Sequence, residues 1–141
     1  MSNELAKTNI NTMLAQEAGT TFSSLQLDNA DRATQSKLFK ALNNPNHRVS
    51  DFINKSFEVE HVLIEAADIL NEETGEISRV PRVVLISPDG TSYQAISQGI
   101  FNSIKYAYKC FGEAPWKPAL TFNIKQVPVK NGSMLTADIE G

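Results

Sequence analysis

Aromatic and cationic side chains sit in this chain at places suited to one kind of chemistry, the holding of planar rings joined by anions. Trp116 lies in the run Pro115-Trp116-Lys117-Pro118, a loop stiff enough to present a large aromatic face at little ordering cost. Phe101, Lys105 and Tyr108 are spaced i, i+4, i+7, which puts two rings and a cation on one border of a helix. Tyr93 stands between Ser92 and Gln94 in a short β-like segment. Arg79 and Arg82 would face opposite sides of a regular strand unless Pro81 breaks the register. Lys125 and Lys130 fall on the last hairpin. A base stacked on such a ring gains about 1–3 kcal/mol, and Lys and Arg follow phosphates. Each aromatic also has a structural reading. Phe101 and Tyr108 would cap the core, Tyr93 would line the fold with a bonded hydroxyl, and Trp116 would pack under its end.

Catalytic apparatus is not visible. Cys110 is the single cysteine, and His47 and His61 are the only histidines, so neither a thiolate cluster nor an HExxH-type metal site can be written. GxGxxG, GxxxxGK[ST] and GxSxG are missing as well. The expectation is a protein with no enzymatic activity, no metal and no cofactor. No apolar run reaches the roughly 20 residues of a membrane helix, and Met1 to Met13 lacks the build of a signal peptide. A soluble, cytoplasmic protein without membrane contact is expected.

The formal charge of −3 argues against an anionic ligand only until the charges are placed. Residues 51–76 set Asp51, Glu58, Glu60, Glu65, Asp68, Glu72, Glu73 and Glu76 against Lys55, a balance of −7. Residues 77–131 set Arg79, Arg82, Lys105, Lys109, Lys117, Lys125 and Lys130 against Asp89 and Glu113, a balance of +5. Such segregation permits a basic face on an acidic protein.

These residues need a scaffold, and the sequence outlines one. Residues 1–27 are polar with scattered apolar anchors such as Leu14 and Phe22, and read as a flexible arm able to dock on a neighbour. Residues 28–45 carry a short accessory helix, with Asp28 or Asp31 as cap, Ala33, Leu38, Ala41 and Leu42 for one face, and Asn44-Pro45 as stop. Residues 46–141 form the main domain. A long first strand with a bulge runs to Leu70, Ile77–Ser87 is the second strand, and Thr91–Ile96 follows after the turn Pro88-Asp89-Gly90. Ile96, Ile100, Ile104, Ala107 and Phe111 then recur at helical spacing up to Gly112. Leu120–Val129 and Ser133–Ile139 flank the turn Lys130-Asn131-Gly132. The βββαββ order predicts a mainly β fold, a five-stranded OB-type Greek-key barrel whose second and third strands present the ligand surface.

The run Gly90-Thr-Ser-Tyr-Gln-Ala-Ile-Ser-Gln-Gly-Ile-Phe-Asn-Ser-Ile-Lys105, preceded by Pro81-Arg-Val-Val-Leu-Ile86 and followed by Phe111-Gly112 and Trp116, resembles small single-stranded DNA-binding proteins encoded by phages and conjugative plasmids of Gram-positive bacteria. The resemblance implies an OB-fold that coats single-stranded DNA during replication or transfer, with aromatic stacking and little sequence preference. It does not assign the site residues, so Arg79, Arg82, Tyr93, Phe101, Lys105, Tyr108, Trp116, Lys125 and Lys130 stand on the reading above. The chain departs from cellular single-strand binders in ending Thr136-Ala-Asp-Ile-Glu-Gly141 without a long acidic tail. The N-terminal arm is therefore the better candidate for contacts in a homo-oligomer. The competing expectation is a protein-interaction OB module whose acidic segment 51–76 binds a basic partner.

Overall fold

The computed structural model describes residues 21–24, 31–130 and 132–141. Most of the arm, residue 28 as a helix cap, and residue 131 of the last turn lie outside them. The elements in chain order are β1 (Thr21–Ser23), α1 (Arg32–Asn43), β2 (His47–Arg48), a 3-10 turn (Val49–Phe52), β3 (Ser56–Val59), β4 (His61–Leu70), β5 (Ile77–Ile86), β6 (Ser92–Ile96), α2 (Gln98–Phe111), β7 (Leu120–Val129) and β8 (Gly132–Glu140).

Alternating apolar residues fix the ladders, because a strand must turn one face to the core. Val62, Ile64 and Ala66 of β4 and Val83 and Leu85 of β5 point inward, as do Phe57 and Val59 of β3 and Phe122 and Ile124 of β7. Burying each of the larger of these side chains contributes about 1.5–3 kcal/mol. A five-stranded sheet runs β1-β4-β5-β6-β2 and a three-stranded sheet β3-β7-β8. One segment, Ser56 to Leu70, serves both: β3 pairs antiparallel with β7, and β4 with β5. The break comes at Glu60, whose N–H donates to the Ile86 carbonyl and whose own carbonyl accepts from the N–H of Trp116. The sequence predicts a bulge within one long first strand; instead the segment breaks here into two strands of different sheets, and the β4–β5 register runs on without a bulge.

Each of the five expected strands has a counterpart, the first divided in two, but the molecule is not a closed five-stranded barrel. Two short strands join the larger sheet, and no ladder links β6 to β8 among the described residues. Both edges are otherwise occupied. β2 pairs in parallel with β6 through His47↔Tyr93 and Arg48↔Gln94. β8 lies along α2, where Ser103 Oγ accepts from the Ala137 N–H at 3.2 Å and bonds Thr136 Oγ1 at 3.0 Å. Gly99 makes this approach possible, since a Cβ there would stand 1.9 Å from the Leu135 carbonyl oxygen.

The helices follow their caps. Asp31 accepts from the Thr34 N–H at 2.8 Å, Ser97 from that of Ile100 at 3.2 Å, and Gly112 ends α2 with φ +87, as helix-end preferences require. α1 packs Leu38, Ala41 and Leu42 on Leu63, Val84 and Ile86, the outer face of β4 and β5. Ala33, expected on that face, is exposed. α2 buries Ile100, Ile104 and Ala107 as its period demands. Two members of the expected stripe differ. Ile96 ends β6 on the face away from core residue Ala95 and is 55% exposed; Phe111, in the last turn of α2 beyond the last buried residue Ala107, is 43% exposed.

Candidate nucleic-acid interface

The sequence-predicted residues do not gather on one surface. Phe101 is 2% exposed and Trp116 4%, both in the main core cluster. The proline-flanked loop turns Trp116 inward: its indole N–H donates to the Gly112 carbonyl at 2.9 Å, and its ring meets Tyr108 edge-on with centroids 5.6 Å apart. Burial raises the pKa of the Tyr108 hydroxyl, partly offset by a backbone hydrogen bond with Ala114. The Lys105 ammonium lies 5.3 Å from the Phe101 ring centroid, a cation–π contact at the core margin. The i, i+4, i+7 border therefore exists, but its rings lean into the core.

The two arginines take opposite faces of β5, and Pro81 does not break the register. Pro81 lies one residue beyond the last β5–β6 pair, Arg82↔Ile96, where a missing N–H costs no bond to β6. Arg79 pairs with Asp68 at 3.3 Å on one face. On the other, Arg82 donates to the Leu42 carbonyl at 2.8 Å and to Gln94 Oε1 from Nε at 3.3 Å and Nη2 at 3.2 Å, with Glu65 3.8 Å away. Lys125 and Lys130 are exposed on the β7–β8 hairpin.

Tyr93 has a different setting. Its ring stacks on Phe57 with centroids 3.9 Å apart and planes 11° apart, and Phe57 in turn lies 6.2 Å from Phe122. On Tyr93 stacks His47, at 5.4 Å and 29°. Phe52 stands edge-on to His47, Tyr93 and Phe57 at 5.3, 5.2 and 5.5 Å, the geometry that aromatic quadrupoles favour. The file of rings starts at fully buried Phe122, passes through Phe57 and Tyr93 at 8% exposure each, and ends at exposed His47.

Local sequence explains how His47 reaches that place. Asn44-Pro45 ends α1, and Asn46 locks to Ser92: the Asn46 N–H donates to Ser92 Oγ at 3.0 Å, and the Ser92 N–H donates to Asn46 Oδ1 at 2.9 Å. This reciprocal pair sets the parallel register that lays His47 beside Tyr93. The 3-10 turn buries Val49 and swings Phe52 back under both rings. Asn54 leaves the turn at φ +66, and its N–H donates to the Ile124 carbonyl at 2.7 Å, tying the turn to β7.

Charge gives the file two unlike flanks. Beside His47 stands Arg48, its side chain 72% exposed and 3.6 Å from Asp51. On the other side, a cleft of about 410 Å³ is lined by Phe57, Glu58, Asp89 and Tyr93 among others, and its two carboxylates disfavour phosphate. His47, Arg48 and Phe52 escaped sequence reasoning. The one sequence signal for them was a histidine followed by an arginine just after the proline stop of α1.

Among the described residues, no group of His, Cys, Asp and Glu is placed to hold a metal, and no helix is long and apolar enough to cross a membrane. Residues 16–139 match the family model described as phage single-stranded DNA-binding protein. Neither the curated proteins nor the solved structures give a match.

Proposed function

This chain belongs to the phage single-stranded DNA-binding protein family, a family of non-catalytic DNA-binding proteins, and we propose that it grips the strand at the open end of the ring file that runs through Tyr93. It binds single-stranded DNA. The observation that carries the proposed site is the exposure of His47 on top of Tyr93: a base laid on the imidazole extends a stack that is already built. Arg48 is beside it to neutralise a phosphate.

In this reading the architecture is an OB-type Greek key left open. The order β6-β5-β4, with the β4 segment continuing into β3 and then β7 and β8, supports it, as does the helix between the third and fourth long strands. The strand then crosses β5 and β6 near Gln94, on the basic side of Tyr93. Glu72, Glu73 and Glu76 in the β4–β5 turn repel phosphate and keep the path away from that tip. Lys125, Lys130 and Lys105 are free enough in exposure to meet phosphates at its margins, whereas Arg79 and Arg82 act within the sheet.

The N-terminal arm is proposed to join subunits of a homo-oligomer that coats the strand during replication or transfer. Because Thr21–Ser23 belongs to the sheet through its pairing with β4, the relevant deletion is of residues 1–20. It should reduce cooperativity on long strands more than affinity for a short one; equal loss of both would remove this role.

Titration of labelled single-stranded and duplex oligonucleotides at two salt concentrations tests the site's chemistry. A stacking surface binds the single strand more tightly at both, and affinity falls as salt rises because phosphate contacts release counterions. Duplex binding as tight as single-strand binding at both salts would overturn the stacking mechanism.

A further inference from the structure

Where the two sheets fail to join, the molecule has a slot. The β2–β6 ladder ends at Arg48↔Gln94, and beyond it Ala95 and Ile96 leave a cleft of about 250 Å³ against Leu135 of β8, with Arg48 and Ser50 completing the lining. One wall is apolar, formed by Ala95, Ile96 and Leu135. Ile96, the last residue of β6, is 55% exposed, and Leu135 is partly buried against the core.

Its polar edge holds Arg48, Ser50 and Gln94, and of these Gln94 has its amide orientation fixed. Gln94 Oε1 accepts two N–H groups from Arg82, at 3.3 and 3.2 Å. A guanidinium has no acceptor, so the carboxamide oxygen must face it and the NH2 must face away. Among the described residues the Gln94 side chain forms no further hydrogen bond. Arg48 stands at the rim with an exposed guanidinium. A slot with one aliphatic wall, one fixed N–H donor and a cation at its mouth is complementary to a planar ring that has a carbonyl on its edge, a methyl on its flank and a phosphate attached.

Resting on the site proposed above, we infer that the cleft between β6 and β8 takes one thymine of the bound strand, with a ring carbonyl accepting from the Gln94 NH2 and the C5-methyl against Ile96 and Leu135. Thymine is the base that combines a carbonyl acceptor with a methyl group; adenine has neither an exocyclic carbonyl nor a methyl. The neighbouring base stacks at His47, and Arg48 holds the phosphate between the two. General single-strand binding thus acquires a modest preference for thymine-containing sequence.

The test uses the full chain with oligonucleotides of equal length made of dT, dU or dA. The parent is expected to bind dT more tightly than dU, and dU more tightly than dA. Gln94→Glu keeps an oxygen for Arg82 but replaces the donor by an acceptor. Its added charge weakens binding to every oligonucleotide, whereas the dT to dA affinity ratio should fall about three- to tenfold, the worth of one hydrogen bond. Ile96→Ser changes an exposed position that the fold tolerates, and it should bring the dT to dU ratio close to unity with the melting temperature retained. Equal binding of dT and dA by the parent, or an unchanged ratio in either folded variant, overturns the assignment. Any of those results, with tight single-strand binding retained, leaves the stacking site at His47 standing. Loss of single-strand binding by the parent itself would instead contradict that site.

Discussion

Tyr93 lies flat on Phe57, ring centroids 3.9 Å apart and planes 11° apart, and this contact joins the hydrophobic core to the proposed DNA surface. A core residue and a site residue are thereby stacked as one unit. The strand that lies on His47 does not have to order the rings beneath it, which lowers the cost of binding.

Substitution by Leu separates the four aromatics named from the sequence, since it removes the π-face while keeping apolar volume. Phe101→Leu, Tyr108→Leu and Trp116→Leu should lower the melting temperature and leave affinity per folded molecule unchanged. Trp116→Leu also leaves the Gly112 carbonyl without its indole donor, an additional cost of about 1–3 kcal/mol if that carbonyl stays dry. Tyr93→Leu should lower both stability and affinity. Calorimetry beside oligonucleotide titration reads both quantities, and a pure affinity loss at Trp116 would move the site to the proline-flanked loop.

Arg82 and Arg79 differ in what they hold. The Arg82 side chain is 15% exposed and ties Leu42 of α1, Glu65 of β4 and Gln94 of β6 to β5. Arg82→Ala strips donors from a partly buried carbonyl and carboxamide, so urea unfolding should show a loss of about 1–3 kcal/mol. Arg79→Ala removes an ion pair that is about one-third exposed and should cost no more than about 1 kcal/mol. The reverse ranking would mean that the Arg82 network does not secure the α1 docking.

Stability should depend on pH through His61. Ser24 Oγ accepts from the Val62 N–H at 2.9 Å and shares a hydrogen bond with His61 Nδ1 at 3.0 Å. The His61 Nε2 lies 3.6 Å from a Glu60 carboxylate oxygen. Burial lowers the His61 pKa below its ordinary 6.5, against the pull of Glu60 and with the push of Lys37 and Lys117. The unfolded chain therefore binds more protons, so stability is complete above about pH 6.5 and declines as pH falls through the lower folded-state value. The β1–β4 contact should loosen first, and amide exchange at Val62 between pH 7.5 and 5 measures it. His61→Gln cannot titrate and should flatten the profile; a profile unaltered in that variant would assign the effect elsewhere.

The long elements were legible because each carries a local signal. Ile100, Ile104 and Ala107 recur at helical spacing between Ser97 and Gly112, and the β7–β8 hairpin is announced by its turn. The site was legible only at Tyr93. His47 and Phe52 lie in a two-residue strand and a single 3-10 turn, too short for any period, and they meet Tyr93 only through the Asn46–Ser92 lock, a contact between residues 46 positions apart. For Trp116 the sequence leaves two readings open, an exposed face or packing under the end of the fold, and the structure takes the second. Flanking prolines indicate a stiff loop, but which way it turns is decided by tertiary partners, Glu60 far back in the sequence and the core ring of Phe122. The open seam between β6 and β8 has no local signature either, since it follows from β2 and α2 occupying the edges.

The stacking site is tested most directly by His47→Leu. His47 is exposed and ends the ring file, so the variant should melt like the parent while its affinity for a short single-stranded oligonucleotide drops by about 1–3 kcal/mol, the worth of one base stack. Anisotropy titration of one labelled oligonucleotide, with melting curves recorded on the same samples, gives the answer. Weaker binding at unchanged melting temperature is the predicted result. Parent-like affinity in the folded variant would contradict the account and place the bases on another surface of the chain.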